Sequence, residues 1–153
     1  RYVGNRQEAE DVMIEGFMKV FTKIGQYREA GSFEGWIRRI MVNESLGYLR
    51  RYKSMYVEVD VAVAIREPDY GILAGSLEAE DLMGIVQALP VGYRTVFNLY
   101  AIEGYTHREI ADQLGISENT SKSQLSRARA LLQQKLNDMG YENVNNAKGD
   151  GEK

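Results

Sequence analysis

The sequence predicts an all-α protein of two small helical domains joined by a flexible acidic linker. Three observations carry this reading. Apolar residues recur at three- and four-residue intervals through most of the chain, the period of an amphipathic helix. Side-chain caps stand at the start of several of these stretches, as in Asn5-Arg-Gln-Glu8 and Thr106-His-Arg-Glu109. Charge divides the chain in three: residues 1–53 carry ten Lys/Arg against seven Asp/Glu, residues 54–80 one against six, and residues 81–153 eight against nine. With 153 residues, 44% of them hydrophobic, there is room for one ordinary domain or two small ones. The predicted boundaries are 1–53 for the first domain, 54–75 for the linker, 76–137 for the second domain and 138–153 for a polar, disordered tail.

The first predicted helix starts after Asn5 and runs to about Ile24. Its expected core face is Ala9, Met13, Phe17, Val20, Phe21 and Ile24. Asp11, Glu15, Met18 and Thr22 form a stripe away from that face. The polar stretch Gly25–Gly31 turns the chain, and Ser32 caps a second helix reaching about Lys53. In that helix Phe33, Trp36, Ile37 and Ile40 share one side while Val42, Leu46 and Leu49 point nearly the opposite way, so it is expected to be central to a small bundle. Arg39, Asn43 and Arg50 fall together in the narrow polar strip that remains. Trp36, on the apolar stripe, reads as a packing residue. Asn43 is a poor helix former in mid-helix, which marks it as a candidate for reading an exposed base through its amide.

Within the linker, Val57, Val59, Val61 and Val63 alternate in a strand-like way with no evident pairing strand. Ser76 opens a third helix with Leu82, Ile85, Val86 and Leu89 inward, closed by Pro90. A fourth runs from Gly92 to Glu103, with Val96, Phe97, Leu99 and Tyr100 apolar, and stops at Gly104. Thr106 opens a short helix to Leu114, Gly115-Ile116-Ser117 turns the chain, and Ser117 caps a last helix to about Asn137. Two helices joined by a three-residue turn with glycine form a helix-turn-helix, with Ile110, Ala111 and Leu114 packing against Leu125, Ala128 and Leu132. Asn119, Ser123 and Arg127 lie on the far side of the last helix, flanked by Thr120, Lys122 and Ser126. Short hydrogen-bonding side chains near a helix N-terminus, with Lys and Arg beside them, suit base edges and phosphates in a major groove. A helical hairpin with a solvated polar face is the plainer alternative.

The net charge of −3 is unfavourable for nucleic acid as a sum, but the basic residues are concentrated locally. Trp36–Lys53 has five Lys/Arg against Glu44 alone, and Ser117–Lys135 has four against Glu118 alone. Two basic helices fit two local phosphate contacts. With no cysteine and one histidine, thiolate zinc sites, cysteine nucleophiles and two-histidine metal motifs are excluded, and neither a catalytic residue nor a metal ligand nor a cofactor is expected. His107, in the first turn of its helix, reads as a phosphate-side or solvent residue. No apolar run approaches the ~20 residues that span a bilayer, so membrane insertion is not expected. The opening RYVGNRQEAED is neither an initiator Met nor a signal peptide, and a preceding element is expected.

The stretch Ala9-Glu-Asp-Val…Phe17-Met-Lys-Val, followed by Phe33-x-x-Trp36-Ile-x-Arg39-Ile40-x-x-Asn43…Leu49-Arg50-Arg51, resembles the second conserved domain of extracytoplasmic-function (ECF) sigma factors, lacking its first helix. Leu89-Pro90-x-x-Tyr93-Arg-x-Val96-Phe97…Glu103-Gly104-Tyr105-x-x-x-Glu109-Ile110-Ala111…Leu114-Gly115-Ile116-Ser117…Thr120-x-Lys122-Ser123…Arg127-Ala128-Arg129 resembles their fourth. The resemblance implies a cytoplasmic, non-enzymatic subunit of bacterial RNA polymerase. It implies that Asp11, Glu15, Met18 and Thr22 meet the clamp of the polymerase core, and that Arg39, Asn43 and Arg50 act on the minus-ten promoter element. The positions matching the face turned to the minus-thirty-five element are Lys122, Ser123, Ser126 and Arg127, with Asn119 and Thr120 beside them. It also implies an anti-sigma factor as a partner. Ile14 departs from a frequent Gln, Asn119 from a frequent Gly and Gln124 from a frequent Arg. A stand-alone helix-turn-helix regulator is the competing reading; it leaves the Phe33–Lys53 pattern unused. A small helical enzyme is poorly matched by one histidine and no cysteine.

Overall fold

A computed structural model describes residues 1–29, 31–52 and 79–141. They belong to two compact units, within Arg1–Val57 and Glu58–Lys153. The strand-like valines of the linker, the Ser76 cap and the tail beyond residue 141 lie outside the described residues.

In the first unit, α1 (Arg6–Lys23) ends in a single 3-10 turn at Ile24–Gln26, and α2 (Phe33–Tyr52) packs against it. The caps are those the sequence predicts. The Asn5 side chain accepts from the Glu8 N–H at 3.1 Å, and Ser32 Oγ accepts from the Gly35 N–H at 3.0 Å. The buried face of α1 differs from the predicted one. Val12, Gly16 and Val20 are buried, whereas Met13, Phe17, Phe21 and Ile24 are exposed, Phe21 to 72%. The reason is steric. A Cβ at Gly16 would collide with Met41 Sδ, so α2 approaches closely along the i, i+4, i+8 line that contains the glycine. Beside that line, the Lys19 ammonium donates to both oxygens of the largely buried Glu44 carboxylate, at 2.6 and 2.7 Å.

The second expectation to be corrected is that α2 is buried on two sides. Val42, Leu46 and Leu49 are buried, but Phe33 is exposed and Trp36, Ile37 and Ile40 are only half-buried. Trp36 belongs to an aromatic cluster with Tyr27 and Phe33, ring centroids 5.3–5.8 Å apart. Within this unit α1 is the helix that packs most extensively on α2.

The second unit comprises α3 (Ala79–Gln87), α4 (Val91–Phe97), a π turn (Asn98–Ile102) that continues α4, α5 (His107–Leu114) and α6 (Glu118–Asp138). Its core joins Ile85, Val86 and Leu89 of α3 and its exit, Tyr93 of α4, and Ala128, Leu132 and Leu136 of α6. Ile110, Ala111, Leu114 and Leu125 close it at the helix-turn-helix. Leu82, expected inward, is 44% exposed, because it stands one turn ahead of the α3 residues that reach α6. Four described polar residues of this unit are buried among the apolar ones, Arg94, Thr95, Asn98 and Ser121. Arg94 donates to the Gln87 carbonyl at 2.5 Å and lies 3.5 Å from that of Leu89, tying α4 to the open end of α3. Burial lowers its pKa from the ordinary arginine value. Asn98 is fully buried at the start of the π turn. The predicted single helix to Glu103 is therefore α-helical only to Phe97; the Glu103 N–H reaches the Asn98 carbonyl, five residues back. Gly104, at φ +78°, ends it.

Candidate nucleic-acid interface

The helix-turn-helix is built from local signals and closed by packing. Thr106 and Glu109 cap α5 reciprocally: Thr106 Oγ1 accepts from the Glu109 N–H, and the Glu109 carboxylate accepts from the Thr106 N–H at 2.8 Å. Gly115, at φ +68°, adopts the left-handed conformation that ends α5 and returns its N–H to the Ala111 carbonyl. Ser117 accepts from the Thr120 N–H at 3.0 Å and starts α6. Ile110 and Ala128 are completely buried, which holds α6 against α5 and turns its other side outward.

The predicted groove-facing residues do not share one environment. Asn119, Lys122 and Ser123 are exposed. Lys122 is only loosely paired, 3.9 Å from Glu118, and Ser123 donates to the Thr120 carbonyl at 3.0 Å. Thr120 is half-buried, with its hydroxyl 2.9 Å from that of Ser117, so it serves the cap as well as the surface. Ser126 is half-buried beside them. Arg127 is not on the open part of the face: it is half-buried, and its guanidinium donates to the Tyr93 hydroxyl at 3.4 Å. This long bond orients the fork from the α4 side.

On the opposite flank is a group that the residue pattern does not reveal. The His107 ring stacks on Tyr100, centroids 4.6 Å apart, and the Arg129 guanidinium lies 5.7 Å from the centre of the same Tyr100 ring. His107 Nδ1 is 2.9 Å from the hydroxyl of the fully buried Ser121. Burial, then the charges of Lys122 and Arg129, hold the His107 pKa below the usual histidine range, with Glu118 opposing them. The signal for this cluster is the π turn, which places Tyr100, and no helical periodicity encodes it.

In the first unit, Arg39, Asn43 and Arg50 are all exposed on α2, as their spacing predicts. The α1 stripe of Asp11, Glu15, Met18 and Thr22 is exposed along its whole length. Glu15 sits at its edge, within 3.5 Å of Arg51 of α2. Neither group converges on an enclosed pocket. The arrangement is suited to binding extended surfaces.

Sequence models of known families match in both units: "Sigma-70 region 2" over residues 1–55 and "Sigma-70, region 4" over residues 79–132. The chain is 30% identical over 149 residues to the RNA polymerase sigma-H factor of Pseudomonas aeruginosa, covering 89% of this chain and 77% of that protein. The ECF sigma factor SigW of Bacillus subtilis is 30% identical over 151 residues, 91% of this chain and 81% of that protein. The chain belongs to the ECF sigma factors. ECF sigma factor SigE of Mycolicibacterium smegmatis is 33% identical over 141 residues, but there the chain spans about half of the relative's length (54%). Among solved structures, the sigma factor RpoE in complex with the anti-sigma factor NepR from Bartonella quintana matches with a TM-score of 0.55 at 26% identity, over 89% of this chain and 85% of that one. In this sigma factor, no helix among the described residues is long and apolar enough to cross a membrane.

Proposed function

We propose that this chain is a promoter-specificity subunit of RNA polymerase, acting by binding rather than by catalysis and working in the cytoplasm. The second unit reads the minus-thirty-five element with Asn119, Thr120, Lys122, Ser123, Ser126 and Arg127. Arg39, Asn43 and Arg50 hold and open the minus-ten element, the arginines on phosphate and Asn43 on a base taken out of the stack. Asp11, Glu15, Met18 and Thr22 dock on the clamp of the polymerase core. An anti-sigma factor, as in the complex of the Bartonella relative, holds the chain inactive. One observation carries the reading above all: a helix-turn-helix with an open α6 face and a separate basic α2 strip occur in one chain, in the family's order.

Reconstitution with polymerase core tests it. The chain added to core is expected to give promoter-dependent initiation, and Asn43→Ala is expected to leave closed complexes intact while reducing permanganate-reactive thymines in the minus-ten region. Duplex binding that is accompanied by no promoter-dependent initiation when core is present would instead identify a stand-alone helix-turn-helix regulator.

A further inference from the structure

We propose that His107 is an additional contact to the DNA backbone, one that takes up a proton from solvent when duplex binds, so that promoter affinity rises toward acid pH. This rests on the reading that α5 and α6 hold duplex DNA.

The geometry divides the two nitrogens of the ring. Nδ1 is engaged with the buried Ser121 hydroxyl at the crossing of α5 and α6, and the ring is fixed in place by its stack on Tyr100. No described residue partners the distal Nε2. Protonation there leaves the inner bond intact, since Nδ1–H then donates and the serine hydroxyl accepts. The groups facing the ring from the elements packed on it are Ser121, Lys122, Arg129 and Glu118 of α6 and Tyr100 of the π turn. On α5 itself its neighbours are Arg108 and Glu109, and the Glu109 carboxylate is occupied by Thr106. The ring therefore stands in a mainly cationic setting at the edge of the exposed α6 face. In the free chain, burial and the fields of Lys122 and Arg129 oppose a third positive charge. A phosphodiester against these side chains reverses the local sign: it attracts the two fixed cations and offers Nε2–H an anionic acceptor. The proton that is unfavourable without DNA becomes favourable with it. Linkage fixes the sign: a group whose pKa is higher in the complex than in the free protein makes binding tighter as pH falls through that window.

His107 is the only histidine of the chain, so its ring resonances can be followed by NMR without assignment ambiguity. The test titrates the full chain free and with a short mixed-sequence B-form duplex at low salt, a probe that needs only backbone contacts. The His107 midpoint is expected to move upward on duplex addition. Fluorescence anisotropy with the same duplex should show affinity rising toward acid by about tenfold for each pH unit the midpoint moves. The salt dependence should be steeper on the acid side by about one charge. His107→Gln is expected to hold the weaker, alkaline affinity at every pH in that window, and His107→Lys the tighter one. A duplex that binds the parent chain without raising the His107 midpoint overturns the proposal while leaving DNA binding in place. So does a His107→Gln variant that keeps the parent's pH dependence. No duplex binding at any pH removes the DNA-binding reading of α5 and α6 together with the proposal.

Discussion

The two units solve the problem of burying an amphipathic helix differently. In the second, α6 is covered by α3, α4 and α5, and its stripe of Leu125, Ala128, Leu132 and Leu136 is buried throughout. In the first, α1 and α2 cover one side of each other. Met13, Ile14, Phe17, Met18, Phe21, Ile24 and Phe33, large apolar side chains of α1, the turn after it and the entry to α2, remain exposed there. Exposed apolar stripes of this kind mark surfaces that meet something else. The comparison teaches that an apolar period identifies a helix securely, but not which part of its stripe is buried within its own unit. In α6 the stripe and the core coincide; in α1 they are rotated apart by the close approach at Gly16.

Substitutions in three places would break or sharpen that contrast. The largest effect is expected in the closed unit. Ile110→Ala removes a fully buried side chain at the α5–α6 crossing and is expected to destabilise that unit by about 2–5 kcal/mol. Native-state hydrogen exchange should show faster exchange in α5 and α6 with α1 and α2 unaffected, and equal acceleration in both units would show that the two cores open together. Next comes the polar clasp of the open unit. Lys19→Met leaves the Glu44 carboxylate buried without its partner and should cost roughly 1–2 kcal/mol, less than a fully buried pair because Lys19 is half exposed. Adding Glu44→Leu to Lys19→Met should recover most of the loss in urea denaturation; no recovery would show that the loss does not come from the unpaired Glu44 carboxylate. The smallest effect is expected at the residue that sequence pattern assigns to the core. Phe21→Gln, at a site 72% exposed, should change stability by no more than about 0.5 kcal/mol. A loss of several kcal/mol in thermal unfolding would return Phe21 to the core and erase the difference between the units.

What was legible in the sequence was local. Asn5, Ser32, Thr106 and Ser117 act within one helical turn, and Gly104 and Gly115 express a backbone preference, so each could be read from its neighbours. The exposed side of α6 and the polar strip of α2 were legible for the same reason: spacing alone places Asn119 with Ser123, and Arg39 with Asn43 and Arg50. What was not legible depends on partners far along the chain or on a broken period. Gly16 has no hydropathy to mark it as the contact point of α1. Arg94 reads as a surface cation until the carbonyls of Gln87 and Leu89 are in place. Arg127 shares a helical face with Ser123, yet it is half-buried and its guanidinium reaches the hydroxyl of Tyr93, thirty-four residues away. The His107–Tyr100–Arg129 group depends on a π turn, which a 3.6-residue template passes over.

That π turn bears on which changes of length the chain can absorb. The Glu103 N–H bonds the Asn98 carbonyl rather than that of Leu99, so the segment holds one residue more than an α-helix of the same rise requires. Deleting one residue, such as Ala101, would let the hydrogen-bond ladder close in its ordinary register and extend α4 without a break. The same deletion would turn the ring now at position 100 through about a quarter of a revolution relative to α5 and withdraw the platform beneath His107 and Arg129. Related chains one residue shorter here would keep the fold and lose the cluster, so an insertion–deletion boundary at residues 98–102 would separate sigma factors that can carry this histidine arrangement from those that cannot.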